Sequence, residues 1–367
     1  MTGPRYTPLA TSLPATVPFV GPEAQERARG RPFAARIGAN ESGFGPAPSV
    51  IEAIAEAASG AWMYGDPENH DLTQALAAHH GVAAENIMVG EGIDGLLGYL
   101  VRLLVGPGDA VVSSDGAYPT FNYHVAGFDG TLHKVPYRDD HEDLPALLAR
   151  AAEVDAKLVY FSNPDNPMGT WHSAEAITQA IESIPEGCVL LLDEAYIELA
   201  PDGTAPPLDV ANERVIRMRT FSKAHGLAGM RVGYAIGHAE LIRAFNKVRN
   251  HFGMSRVSQQ AALASLADQA HLQETIARVG AARERIAGIA RANELTPIPS
   301  ATNFVTLDCG RDGDFARTLL QELISRDVFV RMPFVAPQDR CIRVSCAPEE
   351  ELAVVEQALP LALASIS

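Results

Sequence analysis

Seven short apolar runs, most of them uniform rather than alternating, constrain the fold of this chain more than any other feature. They are NIMV at 86–89, AVVS at 110–113, TLHKV at 131–135, KLVYF at 157–161, VLLL at 189–192, VIRMR at 215–219 and RVGYAI at 231–236. A strand without apolar–polar alternation is covered on both faces, and sheets of such strands are mostly parallel, with helices packed on each side. The intervening segments carry helical patterns or loops, among them VIEAIAEAA at 50–58 and LTQALAAHHG at 72–81, where Gly81 reads as a stop signal. The expectation is an α/β fold with a mainly parallel seven-stranded sheet and right-handed crossovers.

The pattern changes beyond residue 250. An Ala-rich stretch at 257–292 reads as helix, followed by TNFVTLD at 302–308, a helix near 313–326, VFVRM at 328–332 and CIRVSC at 341–346. The closing helix, in PEEELAVVEQAL at 348–359, places its acids favourably in the first turn. This ending predicts a smaller α+β unit. The expected organisation is an irregular N-terminal arm over 1–30, where prolines recur too often for a long helix. It is followed by a large domain over 46–250, a connecting helix at 251–269, and a small domain made of 31–45 with 270–367.

A formal charge of −16 argues against nucleic acid as a partner, although a pocket inside an acidic protein can still be positive. The four cysteines (Cys188, Cys309, Cys341 and Cys346) have no metal-ligand or redox spacing, which fits reduced thiols and no metal site. The N-terminal segment has no apolar signal core, and no apolar run approaches the roughly 18 residues that would cross a bilayer. A cytoplasmic protein without membrane contact is expected. His79 and His80 read as a solvated helix end.

GEGIDG at 90–95 matches G-x-G-x-x-G directly after a strand and at the start of a helix, with Asp115 about 20 residues on. Its glycines let a phosphate approach backbone N–H groups at a helix N-terminus. That serves a nicotinamide or flavin dinucleotide, and equally any other phosphate; a plain tight turn has the same sequence.

Three further segments follow strands at their carboxyl ends, where open α/β sheets bind ligands. Ser162-Asn163-Pro164-Asp165-Asn166-Pro167-Met168-Gly169 comes after KLVYF, Asp193-Glu194-Ala195-Tyr196 after VLLL, and Thr220-Phe221-Ser222-Lys223-Ala224-His225-Gly226 through Arg231 after VIRMR. In this order they resemble the signature of the class I and II aminotransferases, and the resemblance covers most of the chain. It implies fold type I, with a large domain and a smaller α+β domain, and pyridoxal 5'-phosphate as cofactor. Lys223 would carry the cofactor as a Schiff base and move protons. Asp193 would face the pyridine nitrogen and keep it protonated, and Asn166 and Tyr196 would donate to the ring O3′. Backbone N–H groups of Gly92, Ile93 and Asp94, with Ser222 and Arg231, would hold the phosphate. Phe121 would stack on the ring face. Under this reading GEGIDG serves a single phosphate.

Within that class the chain is most similar to the histidinol-phosphate aminotransferase family. IGANESGFGPAPSVIEAI at 37–54 is similar to its N-terminal Asn-Glu stretch, which makes Asn40 a substrate residue. WMYGDPENHDLTQAL at 62–76 is similar to its Tyr-Pro-Asp-Pro motif, so Tyr64 would reach the phosphate in a partner subunit of a homodimer with shared active sites. DVFVRMPFV at 327–335 and CIRVSC at 341–346 resemble its two C-terminal arginine segments. Arg343 would pair with a substrate carboxylate, and Arg331 with the phosphate of histidinol phosphate or the distal carboxylate of glutamate. The implied reaction transfers the amino group of L-histidinol phosphate to 2-oxoglutarate, a small-molecule donor and an oxo-acid acceptor. The chain departs from the family at Glu91, Ile93 and Gly95, at Phe19 and at His124. These departures leave an aromatic or broad-specificity amino-acid aminotransferase as an alternative, and a threonine-phosphate-type decarboxylase as a further one.

Overall fold

The computed structural model describes residues 3–15 and 20–366. The seven apolar runs form one sheet of seven strands: β1 (Ile87–Gly90), β2 (Ala110–Ser114), β3 (Thr131–Val135), β4 (Leu158–Ser162), β5 (Val189–Asp193), β6 (Val215–Thr220) and β7 (Gly233–Gly237). Their order is β1-β7-β6-β5-β4-β2-β3. β7 is antiparallel to both β1 and β6, and every other pairing is parallel. The uniform apolarity has the expected cause. Along β4, Leu158 and Tyr160 pack into a core with helix Gly92–Leu104, while Val159 and Phe161 pack on the opposite face against helices Leu144–Glu153 and Ala174–Ile181.

The register positions the site. Ser162 at the end of β4 lies opposite Asp193 at the end of β5, and Asp193 lies opposite Met218 of β6. The carboxyl ends of three parallel strands therefore open side by side, and the segments that follow them share one edge of the sheet.

A second core lies beyond the sheet. Strands β8 (Phe304–Asp308) and β9 (Cys341–Ser345) pair antiparallel, with Thr296–Pro297 on the other side of β8. Helices Gln269–Ala292, Gly313–Ser325 and Glu349–Ala364 cover them. Ala35 and Ile37 join this core, because Ala35–Arg36 pairs in parallel with Val328–Phe329.

Several details differ from the sequence expectation. The segment 257–292 is two helices, Arg256–Ala267 and Gln269–Ala292, because the Asp268 side chain accepts from the His271 N–H and caps a new helix. Within 1–30, the prolines start helices rather than prevent them: Pro8 opens Pro8–Ser12 and Pro22 opens Pro22–Arg29, each at a position where the missing N–H costs nothing. VFVRM is a strand only at Val328–Phe329; past it, Arg331 and Arg343 bond each other's backbone in an isolated bridge. His80 is not a solvated end: its Nε2 lies 3.0 Å from the Tyr234 hydroxyl, and burial, with Arg219 nearby, lowers its pKa to about 3. All four cysteines are free and buried. Phe19 lies outside the described residues. Among the described residues no helix is long and apolar enough to cross a membrane.

Candidate active site

The carboxyl edge of the sheet opens into a cavity of about 350 Å³ lined by Glu41, Ile93, Asp94, Tyr118, Tyr160, Asn166, Asp193, Tyr196, Ser222, Lys223 and Arg231, among others. The structure thus brings together residues that lie up to 190 positions apart in sequence.

Lys223 is held at the centre. Its Nζ donates to the Asn40 carbonyl at 3.0 Å and sits 5.4 Å from the centroid of the Tyr196 ring. Asn40 organises this side of the cavity. It adopts a left-handed φ of 56°, its side-chain amide donates to the Tyr196 hydroxyl at 3.2 Å, and its Oδ1 accepts from the Ser345 hydroxyl at 3.1 Å. Asn303 clamps the turn by donating to the carbonyls of Asn40 and Glu41. Local strain at Asn40 is thereby offset by bonds with four distant segments.

Asp193 forms the floor. Its carboxylate accepts from the Tyr160 hydroxyl at 2.7 Å and from the Ala195 N–H at 3.0 Å. Burial pushes it up to about 6, against the lowering effect of those two donors. It is therefore mostly ionised at neutral pH and suited to hold a proton on a facing ring nitrogen. Next to it, Glu194 is buried between Arg217 and Arg219. Burial would raise its pKa, but the two guanidinium groups outweigh that and hold it below its ordinary value of 4.5.

The anion cradle lies at the start of helix Gly92–Leu104. Gly92 has φ +74°, and a Cβ there would come within 2.6 Å of the Arg231 guanidinium. The left-handed backbone favours glycine here, and the missing side chain leaves room for the Arg231 guanidinium over this helix N-terminus. Arg231 bonds Asp94 at 3.3 Å, and the Ser222 hydroxyl accepts from Thr220 at 2.9 Å. Asp115, the acid a dinucleotide fingerprint would use, is instead paired with Lys134 at 2.8 Å.

Arg343 is buried, its guanidinium bonded to the Asn166 side-chain oxygen and 5.0 Å above the Phe304 ring. Its Nε has no hydrogen-bond partner, and burial lowers its pKa to about 10. Arg331 points elsewhere: its Nη2 donates to the Val20 carbonyl of the N-terminal arm at 3.0 Å. Tyr64 is 78% exposed, packed on Phe252, and outside the cavity of its own chain.

Two aromatic residues sit differently from the sequence reading. Phe121 does not face the cavity; it is 0% exposed, stacked on Tyr160 with ring centroids 4.9 Å apart inside the core. The aromatic at that edge is Tyr118, whose hydroxyl donates to Asp94 at 2.9 Å. Pro119 starts the helix, which turns Phe121 inward one turn later and leaves Tyr118 at its mouth. Tyr160 was also missed. It reads as one more core residue of an apolar strand, but its hydroxyl reaches Asp193.

A primary amine, a buried carboxylate beneath it and a helix N-terminus with an arginine for an anion form a set that fits pyridoxal phosphate. The space that Gly92 leaves under Arg231, at a left-handed backbone position, is the structural observation behind that fit.

Comparison with known proteins agrees. The model of the family "Aminotransferase class I and II" matches residues 36–359. Histidinol-phosphate aminotransferases from Moorella thermoacetica and Anaeromyxobacter sp. are 31% and 36% identical; the alignments cover 94% and 89% of this chain and 89% and 91% of theirs. The crystal structure of histidinol-phosphate aminotransferase from Sinorhizobium meliloti in complex with pyridoxal-5'-phosphate superposes with TM-score 0.96 at 54% identity, covering 99% of this chain and 98% of that one. A Thermus thermophilus aspartate aminotransferase at 22% identity, TM-score 0.80, shares the fold. By its family match, its fold and the residues gathered at its sheet edge, the chain belongs to the class I and II aminotransferases.

Proposed function

We propose that this aminotransferase moves the amino group of L-histidinol phosphate to 2-oxoglutarate, with pyridoxal phosphate held at Lys223. The observation that carries the proposal is the 54% identical histidinol-phosphate aminotransferase structure, which matches this chain over nearly its whole length. When bound, pyridoxal phosphate supplies an electron-withdrawing ring that makes the substrate α-hydrogen acidic. The chain's own residues do the rest. Lys223 would hold the cofactor, and its Nζ would take up and release the proton of the substrate α-carbon. Asp193 keeps the facing ring nitrogen protonated, and Asn166 and Tyr196 present hydrogen-bond donors at the cavity wall. The backbone N–H groups of Gly92, Ile93 and Asp94, with Ser222 and Arg231, take the cofactor phosphate. Tyr118, which lines the cavity, would be the aromatic neighbour of the cofactor ring. Arg343 and Arg331 take the anionic ends of the substrates, with Asn40 beside them, and Arg331 exchanges its Val20 partner for substrate.

The test is a half-reaction panel on the purified protein loaded with cofactor, following cofactor absorbance. Fast conversion by histidinol phosphate and glutamate, with poor conversion by phenylalanine and tyrosine, is the expected outcome. The reverse order would move the enzyme to aromatic amino acids without changing its chemistry.

The active species in this reading is a cytoplasmic homodimer with shared sites, built from a large domain over 46–250 and a small one from 31–45 and 270–367. Trp62, Tyr64 and Phe252 form an exposed apolar patch of the kind a second copy covers, with Trp62 82% exposed. Tyr64→Phe is expected to weaken cofactor phosphate binding roughly tenfold or more, the cost of one hydrogen bond to a charged group. A monomer in sedimentation at active concentrations would overturn the shared-site arrangement.

A further inference from the structure

Behind the cavity wall lies a pair of buried acids that the reaction above does not use. Glu142 and Asp165 are 1% and 2% exposed, and their carboxyl groups hydrogen-bond each other. Two buried carboxyl groups in contact cannot both be ionised without a large cost, which favours a proton held between them. Burial and the facing Asp165 charge raise Glu142 well above the usual carboxylate range, which makes Glu142 the proton holder.

The side-chain bonds of the pair tie the ends of β2 and β4 to the 163–169 turn and to Tyr137. Glu142 accepts from the Ser162 N–H at 3.0 Å, at the end of β4, and from the Ser114 hydroxyl at 2.6 Å, at the end of β2. Asp165 accepts from the Tyr137 hydroxyl and from the Met168 N–H, both at 2.8 Å. The 163–169 turn is further closed by the Asp165 N–H to Thr170 carbonyl and Gly169 N–H to Asp165 carbonyl bonds. The next residue, Asn166, bonds Arg343 through its side-chain oxygen, and the Asp165 charge acts on the same arginine. The charged and titratable groups around the pair are Tyr137, Tyr160, His172 and Arg343.

We propose that Glu142 and Asp165 are positioning residues: the proton they share locks the 163–169 turn, so that Asn166 holds the Arg343 guanidinium ready for the anionic group of the substrate. The inference deepens the reading of Arg343 given above and rests on it. Ionisation of the pair at alkaline pH would set two negative charges side by side, loosen the turn and weaken substrate capture. A glutamine at 142 keeps a permanent donor to Asp165 and cannot ionise.

The experiment uses the cofactor-loaded full chain with glutamate as donor, comparing wild type, Glu142→Gln and Glu142→Leu, with thermal melts as a folding check. Glu142→Leu is expected to raise KM for glutamate by roughly tenfold or more with kcat changed less, and Glu142→Gln to stay near wild type. The fall of wild-type kcat/KM on the alkaline side should be reduced or shifted upward in Glu142→Gln. If Glu142→Leu does not fold, the pH comparison decides alone. Superimposable pH profiles for wild type and Glu142→Gln, equal KM values in a folded Glu142→Leu, or a Glu142→Gln as impaired as Glu142→Leu would each overturn the pair's role. Failure of the wild type itself to use glutamate would instead overturn the substrate reading.

Discussion

Replacing Lys223 with alanine will lower steady-state amino transfer by about four orders of magnitude or more, without unfolding the protein. The magnitude follows from the two functions proposed for Lys223, since a positioned proton-transfer group alone contributes about 10²–10⁴-fold and the covalent anchor would be lost with it. The fold should survive because Lys223 makes few structural bonds: its Nζ donates to the Asn40 carbonyl, which Asn303 also serves at 3.0 Å. Lys223→Arg separates charge from chemistry. Arginine can keep a cation near Asn40, but it stays protonated at any working pH and can neither form the anchor nor accept a proton. Both variants are therefore expected to be equally inactive, while their melting behaviour stays close to that of the cofactor-free wild type. Turnover by the arginine variant above a few per cent of wild type would show that positive charge, not the amine, is what the site needs at this position.

How much of this was legible in the sequence depends on what each residue's role rests on. The seven strands were readable because burial on both faces leaves an unbroken apolar run, and all seven runs are strands of the large sheet. The meeting of Lys223, Asp193, Asn166 and Tyr196 in one cavity was readable because each lies at or just past a strand end within a short, ordered segment. Where Phe121 and Tyr118 would face was not readable, because spacing along a loop does not say where a helix will start. Pro119 sets that start, and one turn of helix then decides which aromatic ring faces inward. Arg331 could be named but not its partner, because the Val20 carbonyl lies 311 residues away. The pairing of Glu142 with Asp165 left no local trace. Two acids 23 positions apart on a surface-like stretch and a turn become a buried pair only through the parallel register of β2, β4 and β5. The split at Asp268 was visible in principle, since an aspartate within an Ala-rich helical pattern is also a capping residue.

Glu194→Ala is expected to cost about 3–5 kcal/mol of stability, the typical result of removing one partner from a buried ion pair. Glu194 is fully buried, and both of its oxygens are used. Arg217 donates Nε at 2.9 Å and pairs through Nη2 as well, while Arg219 donates Nε at 2.8 Å. Alanine would leave two arginines without their anion inside the protein, although Arg217 would keep the Pro206 and Pro207 carbonyls at 2.8 and 3.2 Å. The pH dependence has a definite sign. The folded-state pKa of Glu194 lies below its ordinary value of 4.5, so its contribution is present above that value and lost as pH falls through the folded value. The stability difference between wild type and Glu194→Gln should hence be constant near neutral pH and shrink in acid. Function follows from position, because the backbone of Glu194 is flanked by Asp193 and is two residues from Tyr196. Loosening it would disturb the two residues proposed to contact the cofactor, and cofactor affinity should fall together with the melting temperature. Urea or thermal unfolding of the cofactor-free proteins measures the effect. A loss below about 1 kcal/mol would mean that the two arginines find water or other acceptors when Glu194 is removed, and that the pair is not what fixes the Asp193–Tyr196 segment.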